Sequence, residues 1–141
     1  MVNNDPLRRL PYKLPPNPIP ADRRSLKLPG PRYQLDLVKT KATPDNIRLL
    51  TSKCDYDVRH ELKWTVADAA ELILALEDTD YHDSEWCESG ARMLVDCDSY
   101  SLRFDIIQLV RSSNGVDIYV KFGFRPTHPL LLLLSCHKSL T

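Results

Sequence analysis

At 141 residues, 43% of them hydrophobic, the chain has material for one domain with a true core and not for two large ones. Nineteen Lys/Arg balance nineteen Asp/Glu, so no net field draws it toward nucleic acid or a membrane surface. The first 30 residues carry no apolar leader and the apolar run 130–134 is far too short to span a bilayer, so a soluble, cytoplasmic protein with reduced thiols and no membrane partner is expected.

The zero net charge hides an asymmetry. Residues 1–34 hold seven Lys/Arg against two Asp/Glu, and the rest holds twelve against seventeen. Eight of the eleven prolines fall in the same basic stretch, including Leu14-Pro-Pro-Asn-Pro-Ile-Pro20 and Leu28-Pro-Gly-Pro-Arg32. Proline lacks the donor N–H and fixes φ, so neither helix nor central strand is open to it. The spacing predicts an extended or disordered tail over 1–34, distinct from a domain over 35–141. Such a tail is either a solvated linker or an arm that uses Arg8, Arg9, Arg23 and Arg24 on a partner or on RNA.

From 33 to 41 a short amphipathic helix is predicted, with Leu35 and Val38 inward, Lys39 and Lys41 outward, and Pro44 beyond its end. Ile47, Leu49 and Leu50 suggest a short strand over 46–51. The clearest helix is 66–77. Thr65 is placed to cap it, Asp68 completes a capping box, and Val66, Ala69, Ala70, Ile73 and Leu76 recur at helical spacing. A short turn over 78–86 is expected next, then strands over 92–98 and 102–111. Ser112-Ser-Asn-Gly115 reads as a turn, because Asn-Gly accepts positive φ in hairpins.

In 115–124, Val116, Ile118, Val120, Phe122 and Phe124 alternate with Asp117, Tyr119, Lys121 and Gly123, the period of a strand with one face on a core. Strands 103–111 and 116–124 should pair antiparallel. Pro126 and Pro129 make the next connection. The run from Leu130 to Lys138 is apolar on both faces until its end, as in a central strand. The sum is an α+β fold in which an antiparallel sheet carries N-terminal helices on one face.

The four cysteines, Cys54, Cys87, Cys97 and Cys136, form no C-x-x-C and suggest no disulfide scaffold. A zinc site from His82, Cys87 and Cys97 fits no common spacing, so no metal or cofactor is expected. There is no P-loop, no dinucleotide fingerprint, no H-E-x-x-H and no nucleophile elbow. Ser135-Cys136-His137 is no local triad, since adjacent residues on a strand point to opposite faces. Tyr119 and Lys121 share the non-core face of their strand, either as a site or as an ordinary polar surface over which Lys121 snorkels. His137 is either a structural hydrogen-bonding residue or a titrating one. His82 and His128 lie in turn-like segments and carry less information.

Read together, Leu-Glu-Asp-Thr-Asp-Tyr-His (76–82), Asp98-x-Tyr100, Gly115-x-x-Ile-Tyr-Val-Lys121 and Leu-Ser-Cys-His-Lys138 resemble the MqsR family over roughly 35–138. These are bacterial type II toxin–antitoxin toxins with a RelE-like fold. The resemblance implies metal-independent endonucleolysis of mRNA and a cognate antitoxin as partner. It places the family's strand tyrosine on Tyr119 and its C-terminal strand base on His137. The family's Gln-Asp-x-Tyr element falls on Cys97-Asp98-Ser99-Tyr100, so a glutamine has become Cys97, and a family lysine falls near Asp83, beside His82. The segment between Tyr100 and Tyr119 is also longer than in the shorter members.

RNA is cut without metal when its 2′-OH attacks the adjacent phosphate, which needs a base, an acid for the leaving oxygen and cations for the developing charge. Tyr119, Lys121 and His137 are the candidate catalytic residues, and Arg103, Arg125 and Lys138 the candidate RNA contacts. The alternative is a non-catalytic protein-interaction domain of the same fold, favoured by the acidic balance of 35–141.

Overall fold

The computed structural model describes residues 5–90 and 93–139. The alternation in 115–124 forms strand β6 (Val116–Gly123), with Ile118, Val120 and Phe122 buried on one face. Strand β7 (Leu131–Lys138) runs antiparallel beside it. All four residues Leu131, Leu132, Leu133 and Leu134 are buried, because apolar clusters lie on both faces of the sheet there. Strand β4 (Leu94–Asp105) pairs antiparallel with β6 on its other edge, and β3 (Tyr81–Glu88) pairs antiparallel with β4.

Two short strands close the ends of the sheet. Strand β1 (Lys27–Leu28) lies antiparallel on β3, and β2 (Ile47–Leu49) lies parallel on β7. The order is β1-β3-β4-β6-β7-β2, with β5 (Val110–Arg111) an offshoot of β4: a mostly antiparallel, open seven-stranded sheet. The parallel edge pair was not signalled by the sequence, because three apolar residues carry no direction.

The helices are short. Helix α1 (Leu35–Lys39) buries Leu35 and Val38, and α2 (Ser52–Tyr56) continues into one turn of π-helix (Asp57–Glu61). Helix α3 (Val66–Ala75) starts at the expected capping box: the Thr65 hydroxyl accepts from Asp68 N–H, and the Asp68 carboxylate accepts from Thr65 N–H. Leu35, Val38, Cys54, Val58, Ala69, Leu72 and Ile73 from these helices share one cluster with Tyr100, Leu102, Phe104, Ile118, Val120 and Phe122 of the sheet. We call that side the inner face, and the opposite side the outer face.

Three elements differ from the sequence reading. Residues 78–86 are a single 3₁₀ turn (Asp78–Asp80) and then a full strand. The strands expected over 92–98 and 102–111 are one strand from Leu94 to Asp105 (Arg92 lies outside the described residues), and the Asp105 carboxylate then turns the chain by accepting from Ile107 and Gln108 N–H. Helix α2 and its π turn were not foreseen. The polar run Asp96 to Ser99 is buried because every charge in it is met, and the strand continues unbroken through 99–101. Asp98 accepts from the Arg32 and Tyr33 N–H groups and from the Ser84 hydroxyl. Asp96 takes Arg8 at 2.6 Å and Arg32 at 3.2 Å.

Those partners come from the proline-rich stretch. From Asp5 onward it lies against the sheet, with Leu7, Arg8 and Tyr33 buried, where its prolines and charge predicted a free tail. Tyr33 packs on Phe122 and Phe124, and its hydroxyl donates to the Asp96 carbonyl at 2.7 Å. Prolines set the extended path, and a buried arginine–aspartate pair anchors it.

Candidate active site

The period of two that turns Ile118, Val120 and Phe122 inward turns Tyr119 and Lys121 to the outer face. Register then fixes their neighbours. Tyr119 stands opposite Ser101 of β4 and His137 of β7, and Lys121 opposite Ser99 and Ser135. A register irregularity in β3 between Tyr81 and Asp83 brings His82 to Tyr119 as well. The Tyr119 ring therefore lies between two imidazoles, 5.4 Å from His137 at 33° and 5.9 Å from His82 at 85°, centroid to centroid.

Each imidazole is tethered through Nδ1. In His137 it lies 2.9 Å from the Lys138 carbonyl, an acceptor, so Nδ1 carries hydrogen and Nε2 of the neutral ring keeps its lone pair. In His82 it lies 3.3 Å from the Asp83 carboxylate. Ser99, fully buried, donates to Asp83 Oδ1 at 2.6 Å and accepts from the Asp83 N–H. Lys27 reaches the other Asp83 oxygen at 2.7 Å. Burial works against ionising Asp83, but the bonds from Lys27, Ser99 and His82 outweigh it and hold this carboxyl well below the usual range. Burial pushes the Tyr119 hydroxyl up, against the Ser99 hydroxyl and the Lys121 charge, so it stays a proton donor at neutral pH.

Lys121 is not a free cation. Its amine lies 3.2 Å from Glu85 Oε2, with side chains only 14% and 5% exposed. Burial disfavours its charge, yet the surrounding Cys87, Tyr119 and Glu85 raise its pKa overall. Glu85 also receives Lys27 at 3.3 Å and Arg23 at 3.8 Å.

Tyr119, Lys121 and His137 thus share one face, and the expected RNA contacts do not join them. Arg103 is on that face but lies 3.6 Å from Asp117. Lys138 is exposed and stands opposite Ile118, so it points to the inner side. Arg125 lies beyond the end of β6, lining a cleft with Tyr12, Pro15 and Met93. A groove of about 490 Å³ runs beside His137, bounded by Lys53, Asp57, Glu61 and Lys138.

The sequence reading named His82 and Asp83 without assigning them to this site, and missed Glu85 and Ser99. Alternation of Asp83, Glu85 and Cys87 with Ser84 and Trp86 was there to be seen, but acids on the one face and a serine on the other hid it. Among the described residues no group of three or more His, Cys, Asp or Glu gathers as a metal site, and no helix is long and apolar enough to cross a membrane. Comparison with protein-family models and with curated proteins found no match for the chain.

Proposed function

We propose that this chain is a metal-independent endoribonuclease of the toxin–antitoxin kind, acting on mRNA and held silent by a cognate antitoxin. One observation carries the chemistry: a neutral phenol flanked on one sheet face by two imidazoles, each held by Nδ1 with Nε2 left for a ligand. The toxin assignment and the RelE-like arrangement rest on the sequence resemblance.

In this reading His137 Nε2 takes the proton of the ribose 2′-OH. The 2′-oxygen attacks phosphorus, the P–O5′ bond breaks, and a 2′,3′-cyclic phosphate forms. Protonated His82, its Nδ1–H on Asp83, donates from Nε2 to the departing 5′-oxygen. The Tyr119 hydroxyl donates to a non-bridging phosphate oxygen, where negative charge grows. Lys121 contributes field rather than a direct bond unless Glu85 lets it go.

The pairing of Lys121 with Glu85 and of Arg103 with Asp117 favours a second reading, a protein-interaction domain, since both cations are already met by acids. Incubation of the purified chain with RNA in EDTA separates the two. Cleavage leaving cyclic-phosphate ends, lost in His137→Ala and reduced in Tyr119→Phe, supports the nuclease. Intact RNA at high protein concentration removes it.

A further inference from the structure

The groove beside His137 leads away from the phenol row to a helix that the proposed reaction does not use. One wall is α2 and the π turn that continues it, through Lys53, Asp57 and Glu61. Tyr56 and His60 belong to the same stripe, because positions i, i+3, i+4, i+7 and i+8 of a helix share a face. Asp57 is the buried side of that stripe, while Lys53, Tyr56 and His60 are exposed, so the two rings stand at the rim of the groove. They stack, with centroids 4.9 Å apart at 28°. The wider turn closes where the Leu62 N–H donates to the Asp57 carbonyl, five residues back, at 2.9 Å. Such turns inside helices occur frequently at functional sites.

Tyr56 stands apart from the other aromatic residues. Among the described residues every other phenylalanine, tryptophan and tyrosine is buried or half-buried, whereas Tyr56 is 54% exposed. Stacking on His60 uses one face of its ring and leaves the rest to solvent. A flat aromatic surface of this kind, open at the edge of a groove, is what an unpaired nucleobase needs.

We propose that the Tyr56–His60 stack is a base-binding platform for single-stranded RNA, holding an unpaired base of the strand whose phosphate lies at the Tyr119–His137 row. The placing of that phosphate rests on the nuclease reading. The platform supplies what the row lacks. Lys121 and Arg103 are met by Glu85 and Asp117, and Lys53 by Asp57 at 2.6 Å, so these cations are already spoken for by acids. A base stacked on an aromatic side chain strengthens binding by about 5- to 150-fold without any charge. The groove between the two places measures about 490 Å³, inside the range of about 300–1,000 Å³ typical of ligand sites. Lys53 and Lys138 balance Asp57 and Glu61 along it, which suits an uncharged sugar and base better than a phosphate. Bases in a duplex are already paired and stacked, so the platform selects single strands, and it tolerates sequence because every base offers a flat face.

The test uses the full chain and a short 2′-O-methyl RNA containing 2-aminopurine, which cannot be cut by 2′-OH attack and whose fluorescence falls on stacking. Quenching is expected on binding, with affinity lowered about 5- to 150-fold in Tyr56→Leu, kept in Tyr56→Phe and Tyr56→Trp, and lowered less in His60→Ala. Because the contact is not ionic, affinity should fall only about threefold between about 50 and 200 mM salt, the response to one phosphate contact. No quenching, a Tyr56→Leu affinity equal to that of the native chain, or a fall steeper than about tenfold over that salt range each overturns the proposal. Circular dichroism checks that Tyr56→Leu is folded, and the exposed His60→Ala gives a second variant. Cleavage of ordinary RNA in EDTA is measured beside it. Quenching by a chain that leaves RNA intact keeps the platform and removes the nuclease, and cleavage without quenching does the reverse.

Discussion

Single side chains set what the outer face can do. In the proposed nuclease reaction His137→Ala removes the base, and it is expected to lower RNA cleavage by about 10²–10⁴-fold, the range of general acid–base catalysis, measured by single-turnover kinetics in EDTA. In the same proposed reaction His82→Ala removes the acid for the departing 5′-oxygen and is expected to slow cleavage within the same range, read in the same assay. If Glu85 restrains Lys121, Glu85→Gln frees a cation beside the phosphate position and should tighten RNA binding by an inactive His137→Ala background, measured by fluorescence anisotropy. Unchanged binding would leave Lys121 as a structural residue. On the inner side the residue that matters most is Asp96. It and Arg8 are 1% and 0% exposed, so Asp96→Ala leaves buried Arg8 with Asp5 alone and Arg32 with no acid, and is expected to cost about 3–5 kcal/mol in urea unfolding.

At the level of elements, what could be read from the sequence was what had a clean period. Strand β6 alternates, β7 is continuously apolar, and α3 carries both a capping box and a helical stripe, so each was legible. Strand β3 and the middle of β4 were not, because their alternation is between two polar sets. Asp96 and Asp98 look like solvent residues until Arg8, Arg32 and Ser84, distant in sequence, are brought to them. Half of the site sat on those strands. Tyr119 and His137 were visible and His82, Asp83 and Ser99 were not, since a β-bulge has no sequence period of its own. The β4–β6 contact also explains a glycine. A Cβ on Gly123 would lie 2.6 Å from the Asp96 carbonyl, so Gly123→Ala should destabilise by about 1–3 kcal/mol through strand separation, read as a lower urea midpoint. In α3, Thr65→Ala removes the cap and is expected to cost about 1 kcal/mol.

For the molecule as a whole, acid is the informative perturbation. Burial disfavours the charge on Asp96, but hydrogen bonds and charge from Arg8, Tyr33 and Arg32 win, so its pKa is lowered, as is that of Asp83. A carboxylate with a depressed folded pKa stabilises above its unfolded value and loses that contribution as pH falls through the folded one. Stability should therefore drop on acidification below about pH 4, the unfolded Asp value, and keep dropping toward the lower folded values. Asp98 acts in the opposite sense, since burial raises its pKa despite bonds from Ser84, Arg32 and Tyr33. Its ionisation opposes folding, so Asp98→Asn should remove a loss of stability that sets in as pH rises above the unfolded Asp value of about 4, while Asp96→Asn lowers stability at neutral pH and lessens the drop in acid, both read by thermal melts.

The parallel edge strand adds a matter of timing. Strand β2 has β7 as its sheet partner, and Arg8 waits for Asp96, 88 positions downstream. A ribosome delivers the halves of each pair many seconds apart at about 5–20 residues per second. The nascent chain keeps its basic, proline-rich beginning unattached until β4 emerges, and its edge unsealed until 131–133 are added. His137, which comes later still, is then the last member of the row to arrive, so Tyr119 gains its second imidazole only once β7 is added.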